Sequence, residues 1–70
     1  MKLADLEFMA ADCCREHSTA FTTRADGTGV GLLGLDDGTY SVTLYRDGGL
    51  WRRECCVSPE RAQALLDGAE

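Results

Sequence analysis

The chain has 70 residues, of which 44% are apolar, and its 12 acidic and 7 basic side chains give a formal net charge of -5. This length fits a single domain over residues 1–70, since domains are rarely smaller than about 50 residues. No apolar run approaches the roughly 20 residues needed to cross a bilayer, and the apolar fraction is too high for a disordered chain. The acidic balance argues against direct binding of nucleic acid, which usually requires a basic face.

The N-terminal residues bear on the compartment in which the protein works. Asp5 and Glu7 stand where a signal peptide would need its apolar core, so export is not expected. We expect a cytoplasmic protein with reduced thiols, because disulfides are rare in that compartment.

The first segment is predicted to form a helix from Lys2 to about Glu16. At 100° per residue its apolar positions fall on one arc, as in a helix that faces a core. The arc comprises Leu3, Leu6, Met9, Ala10, Cys13, Cys14 and His17. Asp5, Asp12 and Glu16 lie together on a neighbouring arc, with Phe8 just beyond them. Such a helix would present three carboxylates beside one aromatic ring.

From about Ser18 to Val57 the apolar period changes to two, which is typical of strands. Three Asp-Gly pairs, which favour tight hairpin turns, begin at Asp26, Asp37 and Asp47. The predicted strands are Thr19–Arg24, Val30–Leu35, Thr39–Arg46 and Leu50–Val57. Because the connections are short, we expect a four-stranded antiparallel meander.

The length of each turn decides which side chains share a face of this sheet. A two-residue turn at residues 37–38 would set Leu33 opposite Val42. A two-residue turn within residues 47–49 would place Trp51 on the same face as Val42. A third residue in the second turn would bring charged side chains to that face instead, so we expect two.

A second helix is predicted after the sheet. Ser58 is a good N-cap and Pro59 suits the first helical position. Apolar residues recur at helical spacing from Ala62 to Ala69, and Gly68 is a natural stop. The predicted fold is α+β: an N-terminal helix, a four-stranded antiparallel sheet and a C-terminal helix, with both helices packed on one sheet face.

These assignments define a predicted core and a predicted interaction surface. The expected core residues are Leu3, Leu6, Met9, Ala10, Cys13, Leu33, Leu35, Tyr40, Val42, Leu44, Trp51, Cys55, Val57, Ala62, Leu65 and Leu66. The opposite sheet face is predicted to carry Val30, Leu32, Tyr45 and Leu50, although a solvated face should be polar. That cluster is either a homodimer or partner interface, or a scatter of apolar residues on an ordinary surface.

The four cysteines form two adjacent pairs, Cys13-Cys14 and Cys55-Cys56, without the C-x₂₋₄-C spacing of zinc sites. On a helix, Cys13 and His17 would lie one turn apart, and Cys55 could complete a metal site. A Cys13–Cys55 disulfide is another alternative. We favour buried cysteines that act as small apolar residues, with no metal or cofactor bound.

Two further patterns indicate functions that the rest of the chain does not support. Residues 29–34 match G-x-G-x-x-G, but a turn follows where a dinucleotide site needs a helix. Arginines and aromatic residues cluster at residues 45–53, as in some single-strand binders, although nearby acids can pair with those arginines. The chain's one histidine, His17, lies in the apolar stripe, which favours a packed imidazole over a general base. We therefore expect no enzymatic activity.

The remaining hypothesis is a protein-binding module. Carboxylates along a rigid helix can imitate a row of phosphates and enter a basic groove, and Phe8 would supply an aromatic anchor. The predicted contact residues are Asp5, Phe8, Asp12, Glu16, Asp36 and Asp37. The expected partner is a protein with a basic surface in a nucleic-acid-processing complex, with no membrane involved.

This description is that of a small acidic inhibitor or regulator. Phage and mobile-element inhibitors of nucleic-acid machines, anti-CRISPR proteins among them, are often short and acidic, although no motif here identifies such a family. The first alternative is a homodimeric structural or regulatory subunit that buries an apolar sheet face. The second is a small Cys/His metal-binding module.

Overall fold

The computed structural model describes residues 1–11 and 14–69. At positions 10, 11 and 14–17 it describes the backbone only. A 3-10 turn at Leu3–Asp5 precedes five strands and one helix in this part of the chain. The strands are β1 (Met9–Ala11), β2 (Cys14–Thr23), β3 (Gly29–Gly34), β4 (Tyr40–Arg46) and β5 (Gly49–Val57), and the helix is α1 (Pro59–Leu66). The strands form one antiparallel sheet in chain order.

The four predicted strands correspond to β2–β5, and the predicted C-terminal helix corresponds to α1. Ser58 caps this helix, because its hydroxyl oxygen accepts a hydrogen bond from the backbone N–H of Arg61 at 3.2 Å. Pro59 lies in the first turn, and Gly68, with φ +104°, follows the end. The antiparallel α+β architecture is therefore confirmed, with β1 as an additional edge strand.

The predicted helix from Lys2 to Glu16 is wrong. Leu3–Asp5 forms a 3-10 turn, and the chain then enters β1 and the start of β2, in which Met9 lies opposite Thr19. A helix of about 15 residues is marginal in water without strong packing. The threonine-rich β2 instead favours extended backbone and offers β1 an antiparallel partner. In the described residues a single α-helix packs on the sheet, and Asp5 and Glu16 share no helical face.

The turn between β3 and β4 is one residue longer than predicted. The Leu35 N–H donates to the carbonyl oxygen of Thr39 at 2.9 Å, which leaves residues 36–38 in the loop. Gly38 has φ +86° and supplies the left-handed position that closes a three-residue hairpin. The register of β3 therefore shifts by one residue, and the two faces of the strand are exchanged.

This shift places the apolar residues of β3 in the core. Val30 and Leu32 are fully buried, although they are predicted on the opposite face. Tyr45 and Leu50, predicted to share that face with them, are exposed. The four residues of the predicted dimer face consequently do not form a single surface.

The turn between β4 and β5 has two residues, as predicted. Asp47 and Gly48 have φ values of 53° and 79°, which are typical of a primed hairpin turn. The register nevertheless shifts twice further along β5. Trp51 is an extra residue at the first irregularity, and residues 55–56 together face Ser41 at the second.

These bulges change which side chains of β5 face the helix. Arg52 and Glu54 lie on the helix side and are half-buried. Trp51 and Cys55, both predicted in the core, are exposed. The charged side chains on the helix side are accommodated because Glu54 accepts hydrogen bonds from Arg61 of α1.

The core lies between the sheet and α1. Its buried apolar cluster comprises Val30, Leu32, Val42, Leu44, Ala62, Leu65 and Leu66. Partly buried residues packed against it are Leu3, Leu6, Phe8, Tyr40 and Val57. Of the other predicted core residues, Met9 is exposed, Leu33 and Leu35 are half-buried, and Ala10 and Cys13 lie outside the described side chains. The helix and the N-terminal segment thus cover one face of the sheet.

Candidate functional site

Asp26, in the turn between β2 and β3, holds two arginines beside it. Its Oδ1 accepts the backbone N–H of Thr28 at 2.9 Å, and its Oδ2 lies 3.1 Å from Nη2 of Arg24 and 4.0 Å from Nη2 of Arg46. Hydrogen bonds from Thr28, and secondarily from Arg24, lower the pKa of Asp26 to about 2. The carboxylate therefore remains ionised at any ordinary pH.

Glu54 holds a second pair of arginines on the helix side of the sheet. Arg61 donates to its two carboxylate oxygens at 2.7 and 3.0 Å, and Arg52 lies 3.3 Å away. The hydrogen bond from Arg61 lowers the pKa of Glu54, and the same contact raises the pKa of Arg61. Glu54 thus fixes the first turn of α1 to β5.

The remaining acids of the described residues are exposed and form no ion pair with another described residue. They are Asp5, Glu7, Asp36, Asp37, Asp47, Glu60 and Asp67. Since Asp26 and Glu54 together take up four arginines, the negative charge of the surface is little compensated. The described part of the surface is therefore acidic, with most of its carboxylates outside ion pairs between described residues.

The arginines of the predicted aromatic cluster have contacts within the fold. Arg46 stacks on the Trp51 ring, with its guanidinium carbon 3.7 Å from the ring centre, and also donates to Thr28 at 3.1 Å. Arg53 is exposed and donates from Nε to the hydroxyl of Thr43 at 3.3 Å. These contacts weaken the single-strand-binding alternative, because the guanidinium groups already have partners.

The predicted contact residues are separated by the change of fold. Asp5 is exposed in the 3-10 turn, the backbone of Glu16 belongs to β2, and Asp12 lies outside the described residues. The structure does bring Phe8 to the turn that carries Asp36 and Asp37, since Phe8 lines a shallow groove of about 280 Å³ with residues 38–40. We refer to Phe8, Asp36 and Asp37 as the acidic turn site.

The acidic turn site is held by hydrogen bonds and ring packing. Asp37 accepts the backbone N–H of Thr39 at 2.9 Å and its hydroxyl at 2.6 Å. Both hydrogen bonds lower the pKa of Asp37, and the bond from the Thr39 hydroxyl has the larger effect. Phe8 lies with its ring centre 6.1 Å from that of Tyr40 at 47°. The Asp37 carboxylate and the half-buried Phe8 ring are therefore preoriented, and Asp36, next to Asp37 in the turn, is exposed.

The predicted Cys/His metal site is not assembled as the sequence suggested. His17 belongs to β2, so it is not one helical turn from Cys13, which lies outside the described residues. Cys55 and Cys56 are free and exposed in β5. Among the described side chains, no three His, Cys, Asp or Glu residues come together as a metal site requires.

A second surface was predicted from the sequence only in part, because Tyr45 and Leu50 of the predicted apolar face do lie away from α1. The open sheet face is the side of the sheet away from α1, and its exposed apolar residues are Met9, Phe21, Tyr45 and Leu50. The signal that could have indicated it is the alternation of Gly29 and Gly31 on β3, because two side-chain-free positions leave room for a ring from the next strand.

Comparisons of the chain with protein-family models, curated proteins and solved structures found no match. No helix in the part of the chain that the structure describes is long and apolar enough to cross a membrane.

Proposed function

We propose that this protein is a non-enzymatic binding module, a small acidic inhibitor or regulator that occupies a basic surface of a nucleic-acid-processing complex. The observation that carries the proposal is the charge arrangement. Seven exposed carboxylates have no ion-pair partner among the described residues, whereas Asp26 and Glu54 engage four arginines. Such a surface attracts basic partners over a distance and accelerates their association.

The acidic turn site is the part of this exterior best suited to make the contact. Asp36 and Asp37 supply adjacent negative charges, and the half-buried Phe8 supplies an aromatic surface in a groove that Gly38 and Thr39 of the same turn also line. Aromatic side chains in preformed grooves are frequent anchors of interfaces, with charges around them that set the orientation. Because the hydrogen bonds from Thr39 hold the Asp37 carboxylate, little side-chain entropy would be lost when a partner binds.

Binding without catalysis is part of this proposal. The described side chains, which do not include that of His17, bring together carboxylates and an aromatic ring. Nucleophilic catalysis would require a nucleophile beside a base and a site for the developing charge. A charged, ring-anchored surface is instead the arrangement expected of a competitor for a phosphate-binding groove.

The test compares two double variants that change the net charge equally. Asp36→Asn with Asp37→Asn removes two charges at the acidic turn site, and asparagine at position 37 keeps an oxygen acceptor for Thr39. Asp47→Asn with Glu60→Gln removes two exposed charges elsewhere. Each protein is titrated into purified DNA- and RNA-binding complexes that are loaded with a fluorescent oligonucleotide.

The expected result is displacement by the unmodified chain at 50 mM salt, weaker at 300 mM salt because screening reduces attraction between exposed charges. The variant at positions 36 and 37 should need about tenfold more protein to displace half of the oligonucleotide, because its charges lie inside the contact. The variant at positions 47 and 60 should need less than about threefold more, because its charges lie outside the contact. Equal loss in both variants would exclude the acidic turn site. If the unmodified chain displaces the oligonucleotide from none of the complexes, the proposed function is refuted.

A further inference from the structure

The open sheet face carries most of the exposed apolar side chains of the molecule. Met9, Phe21, Leu50 and Tyr45 are 69%, 65%, 59% and 36% exposed. The register places them together: Met9 lies opposite Thr19, and Tyr45 lies between Gly29 and Leu50. The other large apolar residues with comparable exposure in the described chain are Met1 and Trp51. A contiguous apolar patch of this kind on a soluble domain marks an interaction surface.

Phe21 and Tyr45 form an organised pair on this face, although their strands are not neighbours. Phe21 belongs to β2 and Tyr45 to β4, and their ring centres lie 6.0 Å apart at 49° across β3. The pair can meet because glycine occupies both intervening positions, and a Cβ atom at Gly29 would lie 2.9 Å from Cζ of Phe21. Because Gly29 and Gly31 have no side chains, the rings of Phe21 and Tyr45 can lie over β3.

We propose that the open sheet face is the interface of a homodimer in which the sheets of two copies pack face to face. The small number of charged side chains on this face favours a second copy of the chain as the partner that covers it. Among the described side chains that the register places on this face, the charged one is Arg53, while the uncompensated carboxylates lie elsewhere. An aromatic surface whose described side chains include no acid is complementary to itself, and a two-fold axis would bring the same patch from both copies together.

The size of the face also fits a dimer. The five strands contain 3, 10, 6, 7 and 9 residues, 35 in all, and at about 4.8 Å between strands and about 3.3 Å per residue they form a face of roughly 550 Å². Two such faces would bury roughly 1,100 Å² together, just above the roughly 1,000 Å² expected of a biological interface. A domain of this length has a small core, and oligomerisation commonly supplies the missing stability.

Salt distinguishes this surface from the acidic turn site, on which the inference does not depend. Dimerisation brings together two copies that each carry a net charge of -5, so added salt should strengthen it by screening their repulsion. Binding of a basic partner at the acidic turn site should weaken under the same change. The two proposals therefore make opposite predictions and can fail separately.

The experiment measures the molar mass of the full chain by sedimentation equilibrium from 2 to 200 μM at 50 and 300 mM salt. We expect conversion from 7.6 kDa to twice that mass, with a lower dissociation constant at 300 mM salt. Phe21→Ser should raise the dissociation constant at least tenfold, because the ring is lost twice in a symmetric dimer. Leu50→Ser provides a second interface variant if Phe21→Ser does not fold.

Trp51→Ser is the matched control. Trp51 is also an exposed apolar residue, but its ring stacks on Arg46, whose side chain reaches Thr28 and Asp26 on the helix side. This variant should dimerise like the unmodified chain. A monomer at 200 μM in both salts, a dimer that Phe21→Ser and Leu50→Ser both leave intact, or a dimer that added salt weakens would overturn the inference.

Discussion

Leu32 and Leu33 are adjacent residues of β3, and their substitution by alanine tests the register of the sheet directly. Leu32 is 1% exposed and packs in the core opposite Val42. Leu33 is half-buried on the open sheet face. A two-residue turn between β3 and β4, as predicted from the sequence, would exchange the two environments.

The expected difference between the two variants is large. Leu→Ala at a fully buried position costs about 2–5 kcal/mol, because a cavity remains where the side chain was. At roughly 0.05–0.15 kcal/mol per residue, the 70-residue chain has a total stability of about 4–10 kcal/mol. Leu32→Ala should therefore remove at least about a fifth of the free energy of unfolding, and more than half if the total lies at the low end of that range. Leu33→Ala should remove about 1 kcal/mol or less, since much of its side chain is already in water.

Urea unfolding at a fixed protein concentration low enough to keep the chain monomeric, followed by circular dichroism, measures both variants. With a slope near 1 kcal/mol per M for a small domain, Leu32→Ala should lower the midpoint by about 2 M or more. If that variant is unfolded in buffer, the milder pair Leu32→Val and Leu33→Val preserves the comparison. A larger loss for the variant at Leu33 would refute the three-residue turn and the core that follows from it.

Two further predictions concern Trp51 and Asp26. Trp51, the single tryptophan of the chain, is 40% exposed, so acrylamide should quench its fluorescence strongly; protection from quenching would instead indicate the core position predicted from the sequence. The pKa of Asp26 is lowered from 3.8 to about 2, so its contribution to stability should be complete above about pH 4 and lost as the pH falls to about 2. Asp26→Asn should remove this part of the acid dependence, and identical acid-unfolding curves for the two proteins would contradict the assignment.

The strands and the C-terminal helix could be predicted because their signals are local. Asp-Gly pairs at residues 26, 37 and 47 mark the hairpins, and Ser58-Pro59 marks the helix start. The faces of the strands depend on a finer property, the number of residues in each turn. Asp36-Asp37-Gly38 permits either two or three loop residues, and the choice of three depends on the Asp37–Thr39 hydrogen bonds, which are not visible in the apolar pattern.

The N-terminal segment could not be assigned from its own pattern. Its apolar positions fit a helix, but Met9, at the centre of that arc, is exposed on the sheet. Apolar residues at helical spacing form a stable helix only where their shared face packs against a core. In this chain β2 offers the N-terminal residues an alternative, because they can pair with it as a strand. β2 extends back to Cys14 and pairs with β1, so a long-range contact overrides the local signal.

The candidate site was predictable in its charge but not in its geometry. Composition alone indicated an acidic exterior, and Asp36 and Asp37 are exposed as the turn signal implied. The proximity of Phe8 to that turn depends on the path of the N-terminal segment to Tyr40, and no spacing in the sequence encodes it. The aromatic pair of Phe21 and Tyr45 forms across a third strand, and the sequence signal for it is indirect: Gly29 and Gly31 alternate on that strand and leave room for the two rings.

The described carboxylates and the exposed apolar residues lie on different parts of the protein. The acidic turn site and the open sheet face could therefore be occupied at the same time. Carboxylates at the turns repel other acidic chains, yet the described side chains of the open sheet face include Arg53 and no acid, so two copies can meet there without placing a described carboxylate within the contact. A dimer formed in this way would carry two acidic turn sites on one particle. Occupation of two basic grooves by one dimer would then raise the apparent affinity well above that of a single site, without any additional contact.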